Sequence, residues 1–304
     1  MTTTPPLFTL TGNLLAERTL EFTSWLPGRT QRATVETFQV GGKGINVAKM
    51  LGRLGPPATA LCFAGGTIGQ ECEAWLRARG FTYRAFVTTA PTRSGTVVRG
   101  GDQPETTFLG PDALPDAAAV HACAEFLDAQ PAGGVLALCG SLPGWAGPDF
   151  NPLRDALLRW LRRGTLVADT YGPPLAWCVQ QPLALVKINA QEFQGLDPSL
   201  TPVSAETLRA ATARWPVRRW IVTQGAGPVW LQDEGGEPVS LSPPPVQEVS
   251  ATGSGDVLLA GVLHAWLRRR MSLREAVAFA LPLAAANAAH PGVADFALPS
   301  DSPP

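Results

Sequence analysis

Residues 251–256 read ATGSGD, and an apolar run, VLLAG, follows at once. Gly253, Ser254 and Gly255 leave the backbone bare where a helix is about to begin. Glycines at such a junction let several N–H groups turn toward one anion, and the helix dipole adds partial positive charge. The expected ligand is a phosphate. This is not a Walker loop, because no Gly-Lys-Ser/Thr follows. Asp256 beside such a cradle would repel a bound phosphate unless a hydroxyl stood between them. The carboxylate then accepts the hydroxyl proton as the oxygen attacks phosphorus, and the cradle takes up charge on the phosphoryl group. The helix N-terminus is expected to keep Asp256 ionised. Taken alone, the same residues also suit a plain helix start in which Ser254 or Asp256 caps the first turn.

Such a site needs a scaffold. The chain of 304 residues is long enough for one large α/β domain, or for a main domain with a small appendage. A composition 45% hydrophobic and 16% charged supports a substantial core and excludes a disordered chain. The net charge of −1 gives no case for nucleic-acid binding or for a basic membrane patch. Five cysteines, at 62, 72, 123, 139 and 178, show no metal-ligand spacing and read as buried free thiols, which suits a reducing cytoplasm. The start, MTTTPPLFTL, lacks the pattern of a signal peptide. The stretch AVAFALPLAAA is too short to span a bilayer and contains Pro282. The expectation is a cytoplasmic protein with no nucleic-acid or membrane partner.

Half-exposed strands are expected in RTLEF and ATVETFQV, where apolar and polar residues alternate. GGKGINVAKMLGRLG switches to helical spacing through Ile45, Val47, Ala48, Leu51 and Leu54. TYRAFVTT and SGTVVRGGDQPETTFLG read as exposed antiparallel strands. From about residue 117, helices alternate with buried strands, the wholly apolar GVLALCG and then TLVADT and ALVKINA, the pattern of a parallel sheet covered on both faces. Helices are expected at 255–270 and 272–290, the second opened by a Ser272/Glu275 capping box. The proline-rich stretch around 243–245 reads as a loop. The fold class is therefore α/β, with a three-layer core and the strands near 11–40 and 93–109 forming a small sheet beside it. Ligands bind such folds at the carboxyl ends of the parallel strands. Those ends are CGSLP, ADTYG, KINAQE, TQG and ATGSGD, all rich in small and polar residues.

GGKGINVAKMLGRLG together with ATGSGDVLLAG resembles the paired signatures of the ribokinase/PfkB family of carbohydrate kinases, in order and spacing, from about residue 8 to 290. The resemblance implies a single ribokinase-like domain over 1–304 with a β-sheet lid, using ATP and Mg²⁺. It implies that Asp256 is the catalytic base and that Gly253, Ser254 and Gly255 form the anion hole. KINAQE resembles the family's Lys-Pro-Asn-x-x-Glu, with Ile188 in the proline's place. Asn189 and Glu192 would then place magnesium through water, and Lys187 would face the nucleotide phosphates. Thr223, Gly225 and Gly227 resemble the turn that holds the nucleotide, and Asn287 lies on the helix that flanks the adenine. Gly41, Gly42, Lys43 and Asn46 resemble the sugar-binding face. Read without the second motif, the glycines suit a plain turn and Lys43 a solvated charge.

The layout most resembles the branch of 1-phosphofructokinases and tagatose-6-phosphate kinases. TGNLLAE keeps Asn13 but loses a proline and has Glu17 where that branch has an aspartate. RSGTV keeps Arg93, a candidate phosphate clamp with Lys43, but has Gly95 where the branch has asparagine. FLGP likewise lacks the branch's asparagine before Gly-Pro, and VSAT lacks the residue expected of a monovalent-cation site. The expected reaction is phosphoryl transfer from ATP to a hydroxyl of a sugar phosphate. An unphosphorylated sugar or nucleoside as acceptor, and a non-catalytic ligand-binding homologue, stand as alternatives. A Rossmann enzyme is disfavoured, because no Gly-x-Gly-x-x-Gly follows the first strand. His121, His264 and His290 read as structural, and the lid strands offer edges for a homodimer.

Overall fold

A computed structural model describes residues 5–101 and 103–298. The two ends of the domain expected over 1–304, with the whole of the leading MTTT, lie outside the described residues. In chain order the first elements are β1 (Leu7–Thr11), β2 (Leu15–Phe22), β3 (Val35–Gly41), α1 (Lys43–Leu54), β4 (Thr59–Gly65) and α2 (Gly66–Ala78). They are followed by β5 (Tyr83–Thr88), β6 (Arg93–Gly100), β7 (Gln103–Leu109), α3 (Ala117–Asp128), β8 (Val135–Cys139), α4 (Asn151–Leu161) and β9 (Thr165–Asp169). Next come α5 (Pro173–Cys178), β10 (Leu185–Asn189), α6 (Ala190–Leu196), α7 (Ala205–Arg214), β11 (Trp220–Thr223), β12 (Val229–Gln232) and β13 (Val239–Leu241). The helices α8 (Ser254–Leu263) and α9 (Leu273–Ala288) complete the order.

The large sheet has nine strands in the order β13-β12-β11-β10-β9-β8-β1-β4-β5. From β10 to β5 every pairing is parallel, whereas β12 and β13 are antiparallel additions at one edge. Those two strands carry no clear alternation and were not expected from the sequence. The central strands β8, β9 and β10 are apolar nearly throughout because helices cover both faces. One apolar cluster packs α1, α8 and α9 on one face; a second, with Trp160, Trp220 and Phe193 at its centre, packs α3, α4 and α6 on the other. The chain leaves β1 toward β4 on one side while β8 lies on the other, so the strand order reverses beside β1. That reversal opens a crevice at the carboxyl ends of the strands.

The lid is a four-stranded sheet in the order β3-β2-β6-β7. Its strands fall where alternation placed them, but β2 and β6 run parallel, with Leu15 opposite Arg93. TYRAFVTT corrects the reading: β5 is not an exposed antiparallel strand but the parallel edge strand of the large sheet, with Tyr83 opposite Ala60. An edge strand is wetted on one face, so it shows the same alternation as a lid strand. The Ser272/Glu275 capping box is present. The helix expected over 255–270 ends its α-helical part at Leu263 and continues as a π-helical turn, His264–Arg268. All five cysteines are buried free thiols. Among the described residues no helix is long and apolar enough to cross a membrane.

Candidate active site

The crevice is a cavity of about 950 Å³ between the strand ends and the lid. Its floor is made by the two glycine-rich turns. Gly42 sits at φ +117° directly above β1, where a Cβ would come 2.6 Å from Thr11 Cγ2. Only glycine lets α1 start this close to the sheet. That placement carries Asn46, one turn into α1, across to the second motif, where its Nδ2 donates to Asp256 Oδ2 at 2.7 Å. Gly253 is left-handed, at φ +77°, and begins α8; Ser254, Gly255 and Asp256 form its first turn. A Cβ on Gly255 would stand 2.7 Å from Lys187 Nζ, so the turn is a bare cradle with an ammonium beneath it.

Beneath the cradle lies a charge cluster that the motif reading did not foresee. Asp169, at the end of β9, is fully buried. Its Oδ1 accepts from Lys43 Nζ at 2.8 Å and its Oδ2 from Lys187 Nζ at 2.8 Å. Lys43 also reaches Glu192 Oε1 at 3.3 Å, so it is held in place rather than solvated. Burial alone would raise the Asp169 carboxyl, but the two lysines outweigh it and hold it below the usual carboxylate range. Burial pulls Lys43 down, yet Asp169, Glu192 and Asp256 together push it well above an ordinary lysine. A lone carboxylate closing the apolar strand TLVAD was the signal available in the sequence.

The helix N-terminus is not the whole of the environment that sets the ionisation of Asp256. Burial, and then the negative charge of Asp169, push its carboxyl up to about 6, against the pull of Lys43, Lys187 and Asn46. A carboxyl in that range is mostly ionised at neutral pH but is a better proton acceptor than an exposed aspartate.

The remaining candidates divide between wall and scaffold. Thr223, Gly225, Asn189, Pro243, Pro244, Pro245 and Val246 line one end of the cavity, and Glu17, Gly41, Gln39 and Arg93 line the lid end. Glu17 accepts a short hydrogen bond from Gln39 across β2 and β3. Gly227 closes its turn by donating to the Gln224 carbonyl at 2.9 Å. Asn189 and Glu192 cap α6 reciprocally, Glu192 N–H to Asn189 Oδ1 at 2.8 Å and Asn189 N–H to Glu192 Oε2 at 2.9 Å. Asn13 is buried beyond β1 and donates to Asp112 Oδ1 at 2.7 Å; Arg93 donates to the same oxygen at 3.1 Å. Asn287 is fully buried behind the cradle rather than at the cavity wall. It donates to the Thr252 carbonyl at 2.9 Å and to Ser254 Oγ at 3.1 Å, so here it shapes the turn. Val293, beyond the last helix, packs where a Cβ on Gly253 would go, a contact without any local sequence signal.

A cradle for an anion, cations beneath it and a carboxylate of raised basicity beside it suit phosphoryl transfer to an alcohol. The chain matches the model of the pfkB family carbohydrate kinases over residues 13–301. It is 31% identical over 269 residues to a 1-phosphofructokinase of Rhodobacter capsulatus, covering 84% of this chain and 82% of that one. It is 26% identical over 270 residues to ATP-dependent 6-phosphofructokinase isozyme 2 of Escherichia coli, covering 86% and 85%. Its fold superposes on a crystal structure of phosphofructokinase-2 from Escherichia coli with a TM-score of 0.85, at 22% identity and over 95% of this chain and 94% of that one. A ribokinase from Thermotoga maritima superposes with a TM-score of 0.71, at 18% identity and over 95% of both chains. The class of reaction that the cleft suggests is thus matched along nearly the whole sequence, and the chain belongs to the pfkB family of carbohydrate kinases.

Proposed function

We propose that this kinase transfers the γ-phosphoryl group of ATP to a hydroxyl of a sugar phosphate. The observation that carries the reading is the contact between the two motifs: Asn46 of the sugar-side motif fixes Asp256 beside the cradle at 2.7 Å. An acceptor hydroxyl held there gives its proton to Asp256 as its oxygen bonds to the γ-phosphorus. The bond from that phosphorus to the bridging oxygen breaks, and ADP leaves. The N–H groups of Gly253–Asp256, with Lys187 and Lys43, meet the charge on the phosphoryl oxygens. The relatives named as phosphofructokinases support a phosphorylated acceptor, and Arg93 is the lid-side cation placed to bind its phosphate.

The turn at Thr223–Gly227 and the prolines at 243–245 form a mostly apolar slot of the kind a nucleobase enters, and the cradle Gly253–Gly255 suits its phosphates. Asn189 and Glu192 would hold magnesium through water, because both side chains are already engaged in the α6 cap and no group of three His, Cys, Asp or Glu side chains is arranged for a metal among the described residues. A bound magnesium ion would neutralise charge on the nucleotide phosphates. In this reading the chain is one kinase domain that acts in the cytoplasm and pairs with a second copy through its lid.

The test is magnesium-dependent ADP release with fructose 1-phosphate, fructose 6-phosphate and tagatose 6-phosphate, set against free sugars and nucleosides. Turnover confined to the phosphosugars is expected. Asp256→Asn should lower kcat about a thousandfold, the scale of a positioned general base, with ATP binding retained. Turnover confined to free sugars would replace the acceptor class, and an Asp256→Asn variant within tenfold of the wild type would remove the base.

A further inference from the structure

The loop that leaves β7 brings one more carboxylate against Arg93, which lines the lid end of the cleft. Asp112 Oδ1 accepts from both Asn13 Nδ2, at 2.7 Å, and Arg93 Nη1, at 3.1 Å. The three groups differ in burial. Asn13 is 4% exposed and the Arg93 side chain 13%, whereas the Asp112 side chain is 56% exposed. Water screens a pair with one wet partner, so the pair is weak. Asp112 can therefore be displaced while Arg93 stays in the wall. Two buried polar atoms at this corner, Asn13 Oδ1 and Arg93 Nε, have no hydrogen-bond partner within the protein. An acceptor and a donor left unmet on two residues that share the Asp112 oxygen are what a bound ligand would satisfy.

The charge balance gives that corner its selectivity. The cations lining the cleft among the described residues are Lys43, Lys187 and Arg93. Asp169 holds both lysines, so Arg93 is the cation left to face the lid end. A phosphate there can pair with the guanidinium in bidentate fashion. While Asp112 occupies Arg93, the same phosphate meets a carboxylate at the same place and is repelled. A neutral sugar hydroxyl meets no such penalty, because it can donate to one group and accept from the other.

We propose that Asp112 is a specificity-determining residue of the acceptor site: its carboxylate competes with the substrate's phosphate for Arg93 and so sets the preference between phosphorylated and unphosphorylated acceptors. The inference rests on the sugar-phosphate reading above. Asp112→Asn keeps the accepting oxygen for Asn13 and Arg93 and removes the charge. The KM for the best phosphosugar of the panel should fall about fivefold, the worth of one partly screened ion pair, while the KM for ATP stays put. An unchanged or raised phosphosugar KM would overturn the proposal.

A second measurement needs no turnover. Millimolar inorganic phosphate, without nucleotide, should raise the melting temperature of Asp112→Asn more than that of the wild type, and adding Arg93→Ala should remove the difference. Equal shifts in wild type, single and double variants would overturn the competition between Asp112 and phosphate. If the wild type turns over no phosphosugar, the acceptor assignment fails on the panel, and the phosphate shifts still decide whether Asp112 guards Arg93.

Discussion

Asp256 works from a buried place beside a second carboxylate, and this shapes its chemistry. Burial and Asp169 raise its carboxyl to about 6; Lys43, Lys187 and the Asn46 amide restrain the rise. The base must be ionised, so activity is lost as pH falls through that value. We expect kcat/KM to lose about tenfold per pH unit below an apparent pKa near 6. A sugar phosphate also titrates in this region, so a variant must separate the two. Asn46 donates to the charged carboxylate and favours it. Asn46→Ala should therefore move the acid limb to higher pH, which ionisation of the substrate cannot do. A limb that stays in place would assign it to the substrate. Asp169 is the counterpart: it bridges two lysines that would otherwise repel each other beneath the phosphates.

At the scale of elements, the cradle is held from behind. The last helix α9 sends Asn287 to the Thr252 carbonyl and Ser254 Oγ, while its Oδ1 accepts from the Ala294 N–H at 2.7 Å. The segment after α9 is bound down in turn. Lys49 donates to the Val293 carbonyl at 2.7 Å, and Arg53 to the carbonyls of Ala294 at 2.7 Å and Phe296 at 2.6 Å. Helix α1 thus carries the sugar-side motif on its first turn and steadies the back of the anion hole on its later ones. Asn287→Ala strands buried donors and acceptors, each costing about 1–3 kcal/mol. A fall in melting temperature of roughly 5 °C is expected. If Asn287 positions the cradle, kcat should fall further than the KM for ATP rises. A loss confined to stability would make it scaffold alone.

At the scale of the molecule, the lid is tied to the core at its far end. Arg99 on β6 pairs with Glu105 on β7 at 2.5 Å, and Glu105 reaches Ser250 Oγ at 3.2 Å and Thr252 Oγ1 at 3.4 Å, on the approach to the cradle. The lid and the approach to the anion hole therefore share a contact. The lid also ends in the open strands β3 and β7, with Val35 and Phe108 exposed. Such edges invite pairing. If two copies join there, the wild type sediments as a dimer at micromolar concentration and Phe108→Glu sediments as a monomer. A monomeric wild type would end the lid-dimer reading.

The sequence by itself determined a good deal of this. Glycine-rich turns with an adjacent carboxylate are local features, since φ preference and spacing are written in neighbouring residues, so Gly42, Gly253 and Asp256 were legible as a site. The parallel core was legible because strands buried on both faces are apolar without interruption. Alternation found the lid but read β5 as an exposed antiparallel strand, because a period of two reports one wet face and not the sheet to which a strand belongs. What only the tertiary structure decided are the meetings across distance: Asn46 on Asp256, Asp169 between Lys43 and Lys187, Asp112 on Arg93, and Asn287 behind the cradle. The raised basicity of Asp256 belongs with them. It follows from burial and from charges brought near by strand order, and neither is a property of the hexapeptide in which the residue stands.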